Sequence, residues 1–486
     1  MAGSGFRYRP EILDEIKEED IMYLKEYEDW FVLESDQLKK ITDHFVKELE
    51  KGLTKEGGNI VSFGPNLDQV TTPMNVTWVM GFPSGHETGR ILTLDMGGTN
   101  LRVCDVCLST RKRDFEQTQR KYKLPDEVKT GTGEQLWDFI AGRLETFLHE
   151  HHNGGRTGTT LPLSFTFSFP VDQKSIRSGV LQRWTKNFNV TGVEGQDIIP
   201  QLEAAFQRKN LPVRIVALIN DTTGTLIASH YRDPQVKVGS IFSTGCNAAY
   251  MEECELIPKL ADSGLPKNAK VIINTEYGAF DNDRKILPLT PFDRQIDHES
   301  ARPGTQIYEK MVSGLYIGEM LRLIMLKLHE EGRLFKDQDV TRLRNENALE
   351  ASFLSVAEMD FSDRLDDMRE EFEESLGLSP SLHELRICRY LIGLVATRAA
   401  RLYACGIAAI CKKKNLRRCH IGVDGSVFNR YSGFKGRAAQ ALREIFDWPP
   451  TELELIALNA FEDGSGVGAA LAAALVLEGE EKAKPL

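Results

Sequence analysis

The chain has 486 residues and a mass of 54.7 kDa, which is long enough for two or three domains. Hydrophobic residues make up 41% and charged residues 27% of the sequence, which is typical of a folded protein and excludes disordered, collagen-like and disulfide-stapled chains. The formal net charge is −11 and the isoelectric point is near 5.6. This acidic balance argues against nucleic acids and anionic membranes as partners. We expect a cytosolic globular protein.

The first half of the chain alternates predicted helices with predicted strands. Apolar residues recur every three or four positions in residues 11–56, which predicts helices. Residues 89–108 alternate between apolar and polar on both sides of a Gly-rich turn, which predicts a hairpin. The following elements are predicted next along the chain: a helix over 132–152 with Thr132 as its N-cap, a strand over 162–171, a helix over 195–210, a strand over 213–221 that runs into a polar turn, and strands over 236–252 and 269–280.

The second half is predicted to be mostly helical from 304 to 415, and then returns to strands. Residues 419–428 read as a strand and a turn, and residues 453–478 as a strand, a Gly-rich turn and a helix of small residues. The longest apolar run, 467–477, is about half of the ~20 residues that a membrane span requires. Strand–turn–helix units in both halves predict an α/β protein of two lobes.

Two cysteines form a C-x-x-C pattern inside the predicted hairpin. Residues three apart on a strand point to opposite faces, so Cys104 and Cys107 are predicted to be buried thiols and not a metal or redox pair.

Four predicted turns combine small residues with hydroxyls, and three of them begin with Asp. Small residues let backbone N–H groups approach an anion closely. A nearby carboxylate can hold a hydrated Mg²⁺ or accept a proton. The turns predict a shared nucleotide-phosphate site in a cleft between the lobes, although the sequence has neither a Walker A motif nor the protein-kinase motifs. These turns are residues 95–100, 221–225, 424–426 and, without the Asp, 243–247.

With these motifs in view, the chain resembles the hexokinases of the sugar kinase/Hsp70/actin class, and among them the single-unit fungal enzymes. The similarity covers about residues 25–478. Its blocks occur in the family's order: LDMGGTNLRV, SFTFSFP, LQRWTKNF, ALINDTTGT, IFSTGCNAAY, NTEYGAFDN, PGTQIYEKMVSGLYIGE, GVDGSVF and EDGSGVGAAL.

The resemblance implies a two-lobed actin-like ATPase (RNase H-like) fold with mixed sheets and an active-site cleft between the lobes. Residues 1–220 would hold the N-terminal helices and the small domain. Residues 221–486 would form the large domain, with a C-terminal segment that returns toward the small domain.

The resemblance also implies a role for each residue that matches a family motif. Asp221 would be the general base that takes the proton of the sugar 6-hydroxyl, and Lys186 would place a positive charge near the transferring phosphoryl group. Carboxylates, amides and hydroxyls suit a polyol because they accept and donate hydrogen bonds at fixed angles. The implied sugar-binding residues are Ser168, Thr185, Lys186, Asn220, Asp221, Asn247, Glu276 and Glu309.

ATP and Mg²⁺ are the implied cofactors. No protein residue is expected to be a strong direct metal ligand, because ATP oxygens and water would hold the ion with Asp95 and Asp221 nearby. The implied ATP-binding residues are Asp95, Gly97, Gly98, Thr99, Asn100, Arg102, Thr244, Gly245, Asp424, Gly425 and Ser426.

Five residues depart from the expected family pattern, and two of them, Met96 for Leu and Tyr277 for Trp, are conservative. Ser243 and Asn187 stand where Gly is usual in the phosphate and sugar blocks, and Ser164 also takes a customary Gly place. If position 243 had a positive φ, a side chain there would cost about 1–2 kcal/mol.

The predicted function is transfer of the ATP γ-phosphoryl group to the 6-hydroxyl of glucose and related hexoses, with fructose and mannose as further substrates. One alternative is a poorly active, hexokinase-like sugar sensor, and the other is a kinase for an amino sugar such as N-acetylglucosamine. No nucleic-acid or membrane partner is expected, and the predicted assembly is a monomer or a weak homodimer in the cytosol.

Overall fold

The computed structural model of the chain describes residues 16–54, 72–152, 160–186, 188–449, 452, 454–462 and 464–482. The strands in these ranges are β1 (Asn75–Val76), β2 (Gly89–Met96), β3 (Asn100–Leu108), β4 (Phe115–Lys123), β5 (Leu161–Phe167), β6 (Val171–Asp172), β7 (Val180–Leu181), β8 (Val213–Ile219), β9 (Val236–Phe242), β10 (Cys246–Glu253), β11 (Lys270–Asn274), β12 (Cys419–Asp424) and β13 (Ile456–Ala460).

Helices fill the segments between these strands and cover both sheets. The helices are α1 (Glu18–Phe31), α2 (Ser35–Gly52), α3 (Asp126–Lys129), α4 (Gly133–His151), α5 (Ile198–Arg208), α6 (Asp221–Arg232), α7 (Pro291–Glu299), α8 (Ile307–Val312), α9 (Gly314–Glu330), α10 (Ala351–Met359), α11 (Asp366–Leu376), α12 (Leu382–Lys413), α13 (Ser426–Arg430), α14 (Phe434–Ile445) and α15 (Gly464–Lys482).

The first lobe is built on a five-stranded mixed sheet with the order β4-β3-β2-β5-β8. Strands β2, β3 and β4 form an antiparallel meander, whereas β5 is parallel to both β2 and β8. Helices α4 and α5 cover one face through the core cluster that contains Trp137, Phe165 and Leu202. Thr132 caps α4 as predicted, because its side chain accepts a hydrogen bond from the backbone N–H of Gln135.

The second lobe is built on a six-stranded mixed sheet with the order β1-β11-β10-β9-β12-β13. Strands β9, β10 and β11 are antiparallel, and β12 is parallel to β9 and β13. The largest core cluster lies on one face of this sheet and includes residues of α1, α2, α9 and α12. The two-lobed α/β architecture with mixed sheets is as predicted, and the domain boundary at 220/221 stays a prediction.

Helices α6 and α15 lie between the two sheets. They share a core cluster with the faces of both sheets, which includes Val106 of β3, Ile272 of β11, Leu226 of α6 and Leu471 of α15. This layer places the N-termini of α6 and α15 close to the strand ends where the predicted phosphate-binding turns lie.

Helix α12 is long and apolar enough by composition to cross a membrane. Every residue of its most apolar 18-residue window is buried within the protein, however, so α12 is a core helix of the second lobe.

Two predicted local structures differ from those observed. The predicted polar turn at 221–225 is the first turn of α6, because Asn220 acts as an N-cap and starts a helix at Asp221. Of the two cysteines predicted to be buried, Cys104 is buried but Cys107 is exposed. The β3 side chains alternate across the sheet, so these two cysteines lie on opposite faces.

Candidate active site

The first predicted phosphate-binding turn connects β2 to β3. The backbone N–H of Gly97 donates to the carbonyl oxygen of Asn100 at 3.1 Å, which closes the turn around Gly98 and Thr99. A Cβ on Gly98 would lie 3.1 Å from Cβ of Lys186, so the lysine side chain crosses directly over this turn. The strands are in register, and this places Arg102 opposite Asp95.

Asp95 lies at the end of β2, where it contacts helix α15. Its Oδ2 accepts a hydrogen bond from the hydroxyl of Ser465 at 2.6 Å. Desolvation raises the pKa of the Asp95 carboxyl, while the hydroxyl of Ser465 and the charge of Arg102 oppose that rise. Asp95 is therefore fixed in position next to the turn, with one oxygen held by protein.

The second turn, residues 243–245, connects β9 to β10. The backbone N–H groups of Gly314 and Leu315 at the start of α9 donate to the carbonyl oxygens of Ser243 and Thr244 at 2.8 and 3.3 Å. A Cβ on Gly245 would lie 2.6 Å from Oε2 of Glu309, so a side chain at this position would displace the Glu309 carboxylate.

The third turn follows β12 and leads into α13. Gly425 has φ of 135°, which favours glycine, and the following Ser426 begins the helix. The Oδ2 atom of Asp424 accepts the backbone N–H of Gly464 at 3.3 Å, which joins this turn to α15.

A cavity of about 570 Å³ lies beside the second and third turns. This volume is in the range of small-molecule sites. Thr244 and Ser426 line the cavity from the two turns, together with Gly314, Leu315, Asn347, Leu349, Glu350, Ala351, Ser352, Ser355, Val356, Val427, Arg430 and Tyr431.

Asn220 and Asp221 lie at the N-terminus of α6. The backbone N–H of Thr222 donates to Oδ1 of Asn220 and to Oδ1 of Asp221, in both cases at 2.8 Å. Asp221 is close enough to raise the pKa values of both Asp95 and Glu276 by charge repulsion, so the three carboxylates lie in one part of the cleft.

An amide–carboxylate network forms part of the predicted sugar site. Nδ2 of Asn247 and Nδ2 of Asn274 both donate to Oε1 of Glu276, at 3.1 and 2.8 Å. Oδ1 of Asn247 accepts the backbone N–H of Glu276 at 3.0 Å. Glu276 has φ of 51°, an uncommon value for a residue with a side chain and one that is concentrated at functional sites.

Glu309, in the first turn of α8, contacts the same region from another element. Its Oε2 accepts the backbone N–H of Cys246 at 2.9 Å. Desolvation raises the pKa values of Glu309 and Glu276, whereas the charge of Lys186 lowers both. Two desolvated carboxylates and one cation therefore share this part of the cleft.

Lys186, Thr185 and Ser168 reach the cleft from the first lobe. The ammonium group of Lys186 donates to the carbonyl oxygen of Ser168 at 2.8 Å and lies 5.4 Å from the ring centroid of Phe169. Lys186 has φ of 56°, so the loop turns sharply directly after Thr185. Asn187 lies outside the described residues.

Comparison with known proteins agrees with this geometry. Two hexokinase family models match the chain, one over residues 23–231 and the other over residues 237–475. The hexokinase of Emericella nidulans is 51% identical over 483 residues, which is 98% of this chain and 96% of that protein. Hexokinase-1 of Saccharomyces cerevisiae is 46% identical over 471 residues, which is 96% of this chain and 92% of that protein. The chain belongs to the hexokinase family.

A solved structure supports the same assignment. The Schistosoma mansoni hexokinase complexed with glucose superposes with a TM-score of 0.82 and 34% identity, covering 94% of this chain and 99% of that one. The fold is accordingly the two-lobed actin-like ATPase fold, and the protein is an ATP-dependent sugar phosphotransferase, as predicted.

Three residues that interact with candidate site residues were not predicted from the sequence. Asn274 donates a hydrogen bond to Glu276. Its position two residues before Glu276 in the motif NTEYGAFDN could have identified it from the sequence. Ser465 holds Asp95 from the block EDGSGVGAAL. Arg183 carries a half-buried guanidinium whose pKa is lowered by desolvation, while the charges of Glu276 and Glu309 oppose that change.

The substitutions noted in the hexokinase motifs are accommodated where the structure describes them. Ser243 does not have a positive φ, so its side chain causes no backbone strain in this turn. Ser164 is fully buried, and its hydroxyl donates to the carbonyl oxygen of Ala217 at 3.4 Å.

Proposed function

We propose that this hexokinase transfers the γ-phosphoryl group of ATP to the 6-hydroxyl of glucose, and that Asp221 is the general base. The observation that carries the proposal is the position of Asp221, whose charge acts on Asp95 of the phosphate turn and on Glu276 of the sugar network. A carboxylate between the two substrate regions can accept the hydroxyl proton as the oxygen attacks phosphorus.

The sugar is proposed to bind against the network of Asn247, Glu276 and Glu309 in the second lobe. Ser168, Thr185 and Lys186 would contact it from the first lobe, and Asn220 and Asp221 from the start of α6. The carboxylates of Glu276 and Glu309 would accept hydrogen bonds from sugar hydroxyl groups, while Asn247 would orient Glu276, because its amide donates to Asn274 and Glu276. Contacts from both lobes would favour a closed cleft that excludes water, the competing acceptor of the phosphoryl group.

The triphosphate is proposed to lie along the three turns. Gly97 closes the first turn through its own N–H, and the backbone N–H groups at Gly98 and Gly245 can approach the phosphates closely because these residues lack side chains. Thr99, Asn100 and Arg102 would add donors from the first turn, and Thr244 from the second. The cavity beside Gly425 and Ser426 would hold the nucleoside, with Asp424 fixing that turn to α15.

Mg²⁺ is proposed to be held mainly by ATP oxygens and water. Mg²⁺ keeps several water ligands and usually binds through one or two carboxylates together with substrate phosphates, so the nucleotide would complete its site. Asp95 would orient metal-bound water. When bound, the ion neutralises charge on the transferring phosphoryl group.

Glucose-dependent ADP release tests this proposal. The protein is assayed with MgATP alone and with MgATP plus glucose, mannose, fructose or N-acetylglucosamine, with 6-deoxyglucose as the matched control that lacks the acceptor hydroxyl. We expect strong stimulation by glucose and none by 6-deoxyglucose. Equal ADP release with both sugars would refute transfer to the 6-hydroxyl.

The same panel separates the two alternatives from the proposal. Glucose binding without turnover would support the sugar sensor, and turnover with N-acetylglucosamine alone would support the amino-sugar kinase. Activity on fructose and mannose, a cytosolic location and a monomeric or weakly dimeric state are further parts of the proposal.

A further inference from the structure

The second and third turns are joined by a pair of hydroxyl groups. The Oγ atom of Ser243 lies 2.9 Å from the Oγ atom of Ser426, although the two residues are 183 positions apart in the chain. Strands β9 and β12 are parallel neighbours with Asp424 opposite Ile241, so both turns leave the sheet at the same edge. We name Ser243 and Ser426 the serine pair.

The backbones of these turns are packed so closely that the serine pair is well defined. A Cβ on Gly425 would lie 2.3 Å from the carbonyl oxygen of Phe242 and 3.0 Å from Cβ of Ser243. On its other side the Ser243 backbone is fixed, because its N–H donates to Gly245 and its carbonyl accepts from Gly314. The Ser243 side chain is thus held against the third turn from a rigid position.

The serine pair lies beside the cavity proposed for the nucleoside. Ser426 and Thr244, the residue after Ser243, both line this cavity. One hydrogen bond between two hydroxyls uses one proton and leaves the second hydroxyl proton available to an oxygen of a bound nucleotide. Ser426 is exposed and Ser243 is partly exposed, so water can replace their mutual bond while the cavity is open.

We propose that Ser243 is a positioning residue for the nucleotide: its hydroxyl holds that of Ser426 and thereby fixes the two turns at the triphosphate end of the cavity. The inference rests on the proposed use of this cavity for ATP. Because water can satisfy both hydroxyls in the free protein, the pair contributes little to folding stability. It contributes to nucleotide affinity, since a bound nucleotide covers the hydroxyls and excludes that water.

A double-mutant cycle tests the serine pair. The variants Ser243→Ala, Ser426→Ala and the double variant are compared with wild type by calorimetric ADP binding at saturating glucose, and by steady-state kinetics. We expect each single variant to weaken ADP binding and to raise KM for MgATP by about 2- to 10-fold, as for loss of one hydrogen bond. The ADP affinity of the double variant should be no more than about twofold below that of the single variant that binds ADP less tightly. Both single substitutions remove the same hydrogen bond, so their effects should not add.

Two further readouts separate positioning from a general structural defect. Glucose KM, kcat at saturating MgATP and the thermal unfolding midpoint without nucleotide should stay close to wild type in Ser243→Ala. Ser243→Thr, which keeps the hydroxyl, should recover most of the ADP affinity.

Several results would overturn the inference. These are unchanged ADP affinity in Ser243→Ala, fully additive losses in the double variant, or an equal loss of glucose and ADP affinity together with a lower unfolding midpoint. Failure of wild type itself to bind ADP, or to release ADP with glucose, would instead refute the proposed function.

Discussion

The carboxylates of the cleft reduce the stability of the unliganded protein. Glu276, Glu309 and Asp95 all have pKa values raised by desolvation, which means that the folded protein disfavours their charged forms relative to the unfolded chain. Such a group contributes stability below its unfolded pKa, and this contribution is lost as the pH rises through the folded pKa. Ionisation of these carboxylates therefore costs folding free energy, and a bound sugar that donates hydrogen bonds to them would offset part of that cost.

The variant Glu309→Gln tests whether a desolvated carboxylate in the cleft destabilises the unliganded protein. Glutamine can still accept the backbone N–H of Cys246 through its amide oxygen, but it carries no charge. We expect the free energy of unfolding of the unliganded protein at pH 7–8 to rise by about 0.5–2 kcal/mol, and glucose to stabilise the variant less than it stabilises wild type. Urea unfolding with and without glucose measures both effects.

The pH dependence and a surface control complete this test. The difference between wild type and Glu309→Gln should shrink as the pH falls, because Glu309 itself then becomes neutral. Glu346→Gln, at an exposed position, should match wild type throughout. A Glu309→Gln variant that is less stable than wild type at every pH would contradict the proposed cost.

At the residue scale, the sequence predicts which side chains belong to the candidate site better than it predicts the hydrogen bonds between them. Motif matches name Asn247, Glu276 and Glu309 as candidates, and the structure brings these three into one region. The hydrogen bond from Ser465 to Asp95 was not predictable, since it depends on how α15 packs, whereas Asn274 could have been identified from its position two residues before Glu276.

At the scale of elements, helix α6 owes its position to glycines on its neighbours. A Cβ on Gly468 of α15 would lie 2.0 Å from the carbonyl oxygen of Gly224 in α6, and a Cβ on Gly239 of β9 would lie 2.5 Å from the backbone nitrogen of Leu226. These contacts leave no space for a side chain. They hold the first turns of α6, and with them Asp221, against α15 and the second sheet.

Gly468→Ala tests this packing, with Gly479→Ala in the same helix as its matched control. The added methyl group at 468 must separate α15 from α6, so we expect a loss of about 1–3 kcal/mol in unfolding free energy and a higher KM for MgATP through displacement of Ser465. A methyl group at 479 meets nothing within 4 Å, and the helix propensity of alanine should stabilise that variant by up to about 1 kcal/mol. Equal stability of the two variants would contradict the packing argument.

Helices and strands with clear apolar periodicity were predictable, and those whose position depends on distant packing were not. The hairpin of β2 and β3 and the Thr132 N-cap are confirmed. Strand β4 was missed because its side chains are almost all polar and exposed at the sheet edge, so its sequence lacks an apolar alternation. The start of α6 read as a turn because Thr, Thr, Gly and Thr are poor helix formers, and tertiary packing overrides that preference.

At the scale of the whole molecule, two polar contacts connect the lobes at the sugar end of the cleft. Arg302 of the second lobe lies 3.4 Å from Oε1 of Glu194, which also accepts the backbone N–H of Trp184, next to Thr185. Arg183 donates to the side chain of Gln306 at 3.5 Å. These contacts join the loop that carries Thr185 and Lys186 to the segment that precedes α8 and Glu309.

Glu194→Gln tests whether the ion pair favours sugar binding. Glutamine keeps an acceptor for Trp184 but removes the attraction to Arg302. We expect glucose KM to rise by up to about fivefold, which corresponds to the energy of an exposed ion pair. The difference from wild type should disappear at high salt, because salt screens the pair. Asp138→Asn is the control, because the Asp138–Arg208 pair is similarly exposed but lies within the first lobe. Identical changes in both variants would contradict a specific effect between the lobes.

The central claim is that Asp221 is the general base for phosphoryl transfer to the sugar. The most direct measurement is the rate of glucose 6-phosphate formation by Asp221→Asn at saturating glucose and MgATP, because asparagine can still accept the Thr222 N–H that Asp221 accepts at the start of α6. We predict a fall of at least ~10² from wild type, with glucose still stabilising the variant against unfolding. A rate within about tenfold of wild type would contradict the claim, and so would a fall explained by lost glucose binding.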